Sequence, residues 1–139
     1  MQEVISQVPA SQGPSVSAGL LYGLRVLVTA QAVALVVAAS FAGQAVRGGA
    51  DPAETHVMAG MVVHLIALLQ VVAAVLVWRP GRGAGWPALA SLGLFLVGMG
   101  QHFSWDLLGA HVPSGLTLFG LTVAVLVWVW SPRAGVRRS

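Results

Sequence analysis

Four apolar stretches of about 20 residues each, long enough to cross the roughly 30 Å hydrocarbon core of a bilayer, take up most of this chain. They lie near residues 20–43, 56–78, 86–108 and 111–130. Such stretches leave few folds open. Inside lipid every backbone N–H and C=O must be paired within the protein, and a run of this length does so as a helix. Of the 139 residues, 57% are hydrophobic and 8% charged, so a water-soluble fold would lack the polar side chains to cover its core. The expected fold class is therefore all-α integral membrane, a four-transmembrane-helix up-down bundle. The first stretch is too long and too poorly flanked to be a removable signal peptide. Residues 1–18, rich in Ser, Gln, Gly and Pro, read as a disordered tail, 19–131 as the transmembrane domain and 132–139 as a short basic tail.

Charge placement orients the bundle. Arg79 and Arg82 lie between the second and third spans, Arg133, Arg137 and Arg138 follow the fourth, and Arg25 can snorkel from the first turns of the first span. Arg47 alone sits between spans one and two. The positive-inside rule then puts both termini in the cytoplasm of a multi-pass plasma-membrane protein, with Asp51, Glu54 and Asp106 outside. Tyr22, Trp78, Trp86, Trp128 and Trp130 fall near the inner interface and Trp105 near the outer one, the places amphipathic rings prefer.

The same residues exclude several chemistries. Three arginines in an eight-residue tail, without interleaved aromatics, make no nucleic-acid surface. They read as topology determinants that touch anionic headgroups. Cysteine is absent, which removes disulfides, thiolate ligands and covalent CxxCH haem attachment. A Gly-rich phosphate loop, HExxH and a nucleophile elbow are also missing from the sequence.

What remains is a degenerate repeat. Gly43-Gln44, then HVMAG at His56–Gly60, then AVLVW at Ala74–Trp78 recur as Gly100-Gln101, HVPSG at His111–Gly115 and AVLVW at Ala124–Trp128. The order predicts two pseudo-repeated helical hairpins, each presenting one histidine at the same outer depth. Gln44, His56, Gln101, His102 and His111 are expected at that level, with His64, Gln31 and Gln70 deeper. His64 lies eight residues past His56, roughly 12 Å along the axis, so those two cannot ligate one metal from a single helix.

Spans two and four run in the same direction and are diagonal in an up-down bundle. Neighbour spacings of about 8–10 Å make that diagonal roughly 11–14 Å, a gap expected to be too wide for a bare ion between His56 and His111. A metal in a flat macrocycle with an imidazole on each face fills it, which makes the two histidines candidate axial ligands of a b-type haem. Gly60 and Gly115, one turn further on the same faces, would give clearance for a porphyrin edge. Gln101 is a possible polar neighbour, and His64 and His102 would line or tune the pocket or supply a second site.

The arrangement of His56 with Gly60, Gln101, and His111 followed by Val112, Pro113 and Gly115 resembles one four-helix half of the haem A synthase family. It is similar also to small four-helix membrane proteins of actinobacterial type with paired HxxxG helix starts. Glu54, two residues before His56, resembles the carboxylate that precedes the first histidine in the synthase family. The resemblance covers all four spans and implies haem b held by His56 and His111, with electron transfer or haem handling near the outer membrane face as the purpose. It leaves two alternatives: an oxidative haem-modifying enzyme, for which Glu54 is the candidate acid, and a cofactor-free structural subunit of a membrane complex. The expected partners are the lipid bilayer and a second copy or a larger membrane complex, and no nucleic acid.

Overall fold

The computed structural model describes residues 15–48, 50–104 and 106–138. The expected tail up to residue 14 and the position of Trp105 lie outside them. The chain forms four helices, α1 (Ala18–Ala45), α2 (Ala50–Trp78), α3 (Trp86–Gln101) and α4 (Leu108–Val129), followed by a 3₁₀ turn at Pro132–Gly135. No strand occurs among the described residues, and the architecture is the all-α membrane bundle the apolar stretches require. α1, α2 and α4 are long and apolar enough to cross a bilayer, while α3 is a shorter apolar helix.

The third span is the one that departs most from its expected bounds. Its 16 residues reach only about 24 Å, and it stops at Gln101 instead of continuing to Leu108. Two glycines, Gly98 and Gly100, weaken its last turn, and the polar run from Gln101 to Asp106 follows. His102, Phe103 and Ser104 turn back through N–H donations to the carbonyls of Met99, Gly100 and Gln101. α2 and α4 begin earlier than expected, at Ala50 and Leu108. Their apolar runs are preceded by interfacial residues that also take helical conformation. His56 therefore lies in the second turn of α2 and His111 in the first turn of α4, rather than at the helix starts.

The helices pack in ring order: α1 against α2, α2 against α3, α3 against α4 and α4 against α1. Among the described residues no Cα pair within 8 Å spans either diagonal, so α2 and α4 face each other across the axis as up-down order demands. The dry core occupies one end of this bundle. Leu21, Leu24, Val28, Ala74, Val77, Val125 and Val129 pack together there, with both AVLVW segments contributing. Trp86 and Trp128 close its edge at a centroid distance of 5.4 Å.

Tight turns set the helices' angles. Gly48 takes φ +93° in the α1–α2 turn, a left-handed conformation that L side chains rarely adopt. Beyond α2 the Gly81 and Gly83 N–H groups cap the carbonyls of Leu76 and Val77. A Cβ on Gly81 would lie 2.5 Å from the Val77 carbonyl oxygen, so only glycine fits that turn.

The end that carries the dry core also carries six of the seven arginines, all but Arg47. Arg25 Nε donates to the Val129 carbonyl at 3.0 Å, satisfying a free carbonyl at the C-terminus of α4, and its guanidinium stacks on Trp130. Arg79 stacks on Trp78. Val16 N–H donates to the Gly135 carbonyl and Ser15 pairs with Val136, joining the segment before α1 to the 3₁₀ turn after α4.

Candidate functional site

The other end of the bundle holds a cavity instead of a core. Its volume is about 610 Å³, inside the roughly 300–1,000 Å³ range of small-molecule and cofactor sites. His56, Gly60, Gln101, His102, His111 and Gly115 all line it, so six of the residues singled out from sequence converge on one space. All four helices contribute.

His56 is held from α1. Its Nδ1 lies 2.8 Å from the Ala38 carbonyl oxygen, which can only accept, so Nδ1 carries the proton and Nε2 is left with a free lone pair. This is the orientation in which a backbone carbonyl commonly fixes a metal-binding imidazole. Across the ring, the His111 Nδ1 is buried and has no hydrogen-bond partner among the described residues. The two imidazoles meet at a centroid distance of 6.0 Å with their planes inclined by 67°.

That distance corrects the expected geometry. The backbones of α2 and α4 stand apart, but both side chains reach inward and close most of the gap. Two imidazole nitrogens about 2 Å from a shared metal, in opposed positions, place their ring centroids roughly 6 Å apart. A width argument against a bare ion therefore fails. Coordination number decides instead, because among the described residues no group of three or more His, Cys, Asp and Glu side chains could hold a metal ion. Two protein ligands leave four positions of an octahedral metal to be filled by something else.

The glycines supply room for it. A Cβ on Gly60 would meet nothing within 4 Å, and one on Gly115 would meet only Gln101 Oε1 at 3.9 Å. Both open into the cavity, one turn beyond their histidines. Gln101 has a structural part in the same wall. Its Nε2 donates to Ser114 Oγ and to the His111 carbonyl at 3.3 Å, tying the end of α3 to the first turn of α4.

His64 and His102 form a second pair. Their centroids are 5.5 Å apart, and Phe95 stacks on His64 at 4.4 Å. A Cβ on Gly98 would come within 3.3 Å of His64 Nδ1, so glycine lets α3 approach α2 here. His64 Nε2 is buried without a partner. His64 itself does not line the cavity and reaches it only through His102.

Other polar residues stay outside. Glu54 is exposed and absent from the lining, as are Asp51 and Asp106. Gln44, the repeat partner of Gln101, is exposed and donates to the Ser40 carbonyl of its own helix. Sequence reasoning missed Ala38, whose contribution is a backbone carbonyl and leaves no mark in side-chain type. It also missed Ser114, which stood in plain sight inside HVPSG at helical spacing from Ala110. Deeper still, Gln70 donates to Ser91 Oγ at 2.9 Å and Gln31 is buried, each with its Oε1 unpartnered.

No known protein family, characterised protein or solved structure matches the chain. The likeness to one half of a haem A synthase therefore rests on the quoted residues alone.

Proposed function

We propose that the chain is a small bis-histidine haem b protein of the plasma membrane that carries electrons or handles haem. The observation that carries this reading is the His56–His111 pair: two imidazoles 6.0 Å apart across a cavity whose glycine walls are open. The donor set fits the group. Neutral imidazole suits iron, and a macrocycle would supply the further nitrogen donors the protein lacks. Bound haem would supply a one-electron Fe(III)/Fe(II) couple.

The chain's own residues would do the rest. The Ala38 carbonyl fixes the His56 tautomer, and Gln101 fixes the turn that presents His111. Gly60 and Gly115 admit a flat ring, and His102 adds a polar edge to the cavity. The exposed position of Glu54 favours a carrier over the haem-modifying enzyme, which needs an acid against its substrate. With six arginines at the far end, the positive-inside rule puts that end in the cytoplasm and the cavity toward the outer face.

A reduced-minus-oxidised absorption spectrum of the purified protein tests the reading. Sharp b-type bands, lost in His56→Ala and in His111→Ala, are expected. Bands that survive both substitutions would move the ligands to His64 and His102, and wild-type protein that takes up no haem would leave the structural-subunit reading.

A further inference from the structure

Three of the four seams around the cavity are bridged by side chains. His56 Nδ1 to the Ala38 carbonyl closes α1 against α2. His64, set against Gly98 and His102, closes α2 against α3. Gln101, bonded to Ser114 and the His111 carbonyl, closes α3 against α4. The fourth seam differs. Its side-chain hydrogen bonds among the described residues, Arg25 to Val129 and Trp130 to Thr29, both lie at the opposite end of the bundle.

Exposure of the lining follows the same division. The cavity residues on α2 and α3 are buried or half-buried: Gly60, Val63, Gly98 and Gln101. On α1 and α4, beside the buried Ala38 and Leu118, the lining includes exposed apolar side chains, Val36 at 51%, Val112 at 53%, Leu116 at 69% and Phe119 at 41%, with Ser40 as an exposed polar residue among them. Val36 to Ala42 stand roughly 5–13 Å short of the end of α1, and Val112 to Phe119 roughly 6–17 Å past the start of α4. Both helices are longer than the hydrocarbon core is thick, so these edges lie at the depth of acyl chains.

We infer that the cavity opens sideways, through the gap between α1 and α4, into the bilayer, and that its occupant enters from the lipid. A rim of Val, Leu and Phe at that depth passes a flat amphiphile that partitions into membranes, and opposes a hydrated ion or a small polar metabolite. His56, His102 and Gln101 on the far wall, with His111 on α4, then meet the occupant's polar or metal centre after it has passed the rim. Only the choice of haem as that amphiphile rests on the function proposed above. The route itself rests on the seams and the exposed rim.

The absence of cysteine makes a direct test clean. The full chain carrying Gly60→Cys, or Gly115→Cys as a second reporter, is labelled with a nitroxide and reconstituted into phosphatidylcholine vesicles. Collision rates are then measured with oxygen, which concentrates in lipid, and with a water-soluble nickel chelate. The expected result is oxygen collisions several-fold above those with the chelate, as at the lipid-facing control Leu65→Cys. Adding Ala39→Trp at the rim should suppress oxygen access, and Leu68→Trp, on another lipid face, should leave it unchanged. Chelate access equal to or above that of oxygen, or oxygen access indifferent to Ala39→Trp, would overturn the lateral route. Hemin dissolved in the same vesicles separates the two claims. Oxygen access that is high and rim-dependent in the labelled chain, with no hemin uptake by the unlabelled wild type in those vesicles, keeps the route and removes haem as the occupant.

Discussion

A histidine becomes a ligand through what holds its other nitrogen. On the proposed function His56 would use the Ala38 carbonyl in this way, 2.8 Å from its Nδ1, which orients the ring. His111 is positioned from behind, by the Gln101 amide on its own carbonyl. The glycines one turn on are held open at a cost, because glycine is a poor helix former. Gly60→Ala, whose new methyl meets open space, should raise the apo-protein's unfolding free energy by about 0.5–1 kcal/mol. Gly60→Leu should instead fill the cavity and impose about 1–3 kcal/mol on the occupant, roughly 5–150-fold in haem affinity. Titrating hemin into both variants and following denaturation by circular dichroism would check the pair. Equal affinity in Gly60→Leu and wild type would show that no macrocycle edge passes that position. At this scale the sequence was informative about side chains and silent about backbone. Paired HxxxG named both histidines and both glycines, whereas the Ala38 carbonyl could not be read from an alanine.

Helix type and number followed from apolar run lengths, since lipid allows so little else. Helix ends did not. α3 stops seven residues short of its expected limit because glycines and polar side chains outside the hydrocarbon no longer compel a helix, and local turns compete. The distance between the imidazoles was equally hidden, since a bundle's interaxial spacing says nothing of how far side chains lean inward. The reverse turn after α2 fixes where α3 begins and hence where Gln101 and His102 arrive. Gly81→Ala pushes a methyl against the Val77 carbonyl and should destabilise the bundle by about 1–3 kcal/mol. Thermal unfolding in detergent would measure it, and an unchanged midpoint would mean that the turn relaxes freely.

Across the whole molecule the two ends of the bundle are unlike. One is a dry apolar plug with arginines and tryptophans at its rim, and the other a cavity with His56, His102 and His111 on its walls. The plug lies between the cavity and the end where Val16 meets Gly135, so on the proposed function an occupant would reach the cavity from the other face or from the bilayer. The repeat in the sequence accounts for the histidines sharing a depth, but it is not complete in three dimensions. Gln101 is structural where Gln44 is a surface residue. Orientation can be checked on the same cysteine-free background. In intact cells an impermeant maleimide should label Asp51→Cys and spare Pro132→Cys, both positions being exposed. The opposite pattern would invert the bundle and place the cavity toward the cytoplasm. The central claim, one haem between His56 and His111, is tested most directly by low-temperature electron paramagnetic resonance of the oxidised protein. Wild type should give a low-spin ferric signal whose strong anisotropy reflects imidazole planes inclined near 67°, and His56→Ala and His111→Ala should each convert it to high spin. A low-spin signal unchanged by both substitutions would contradict the account.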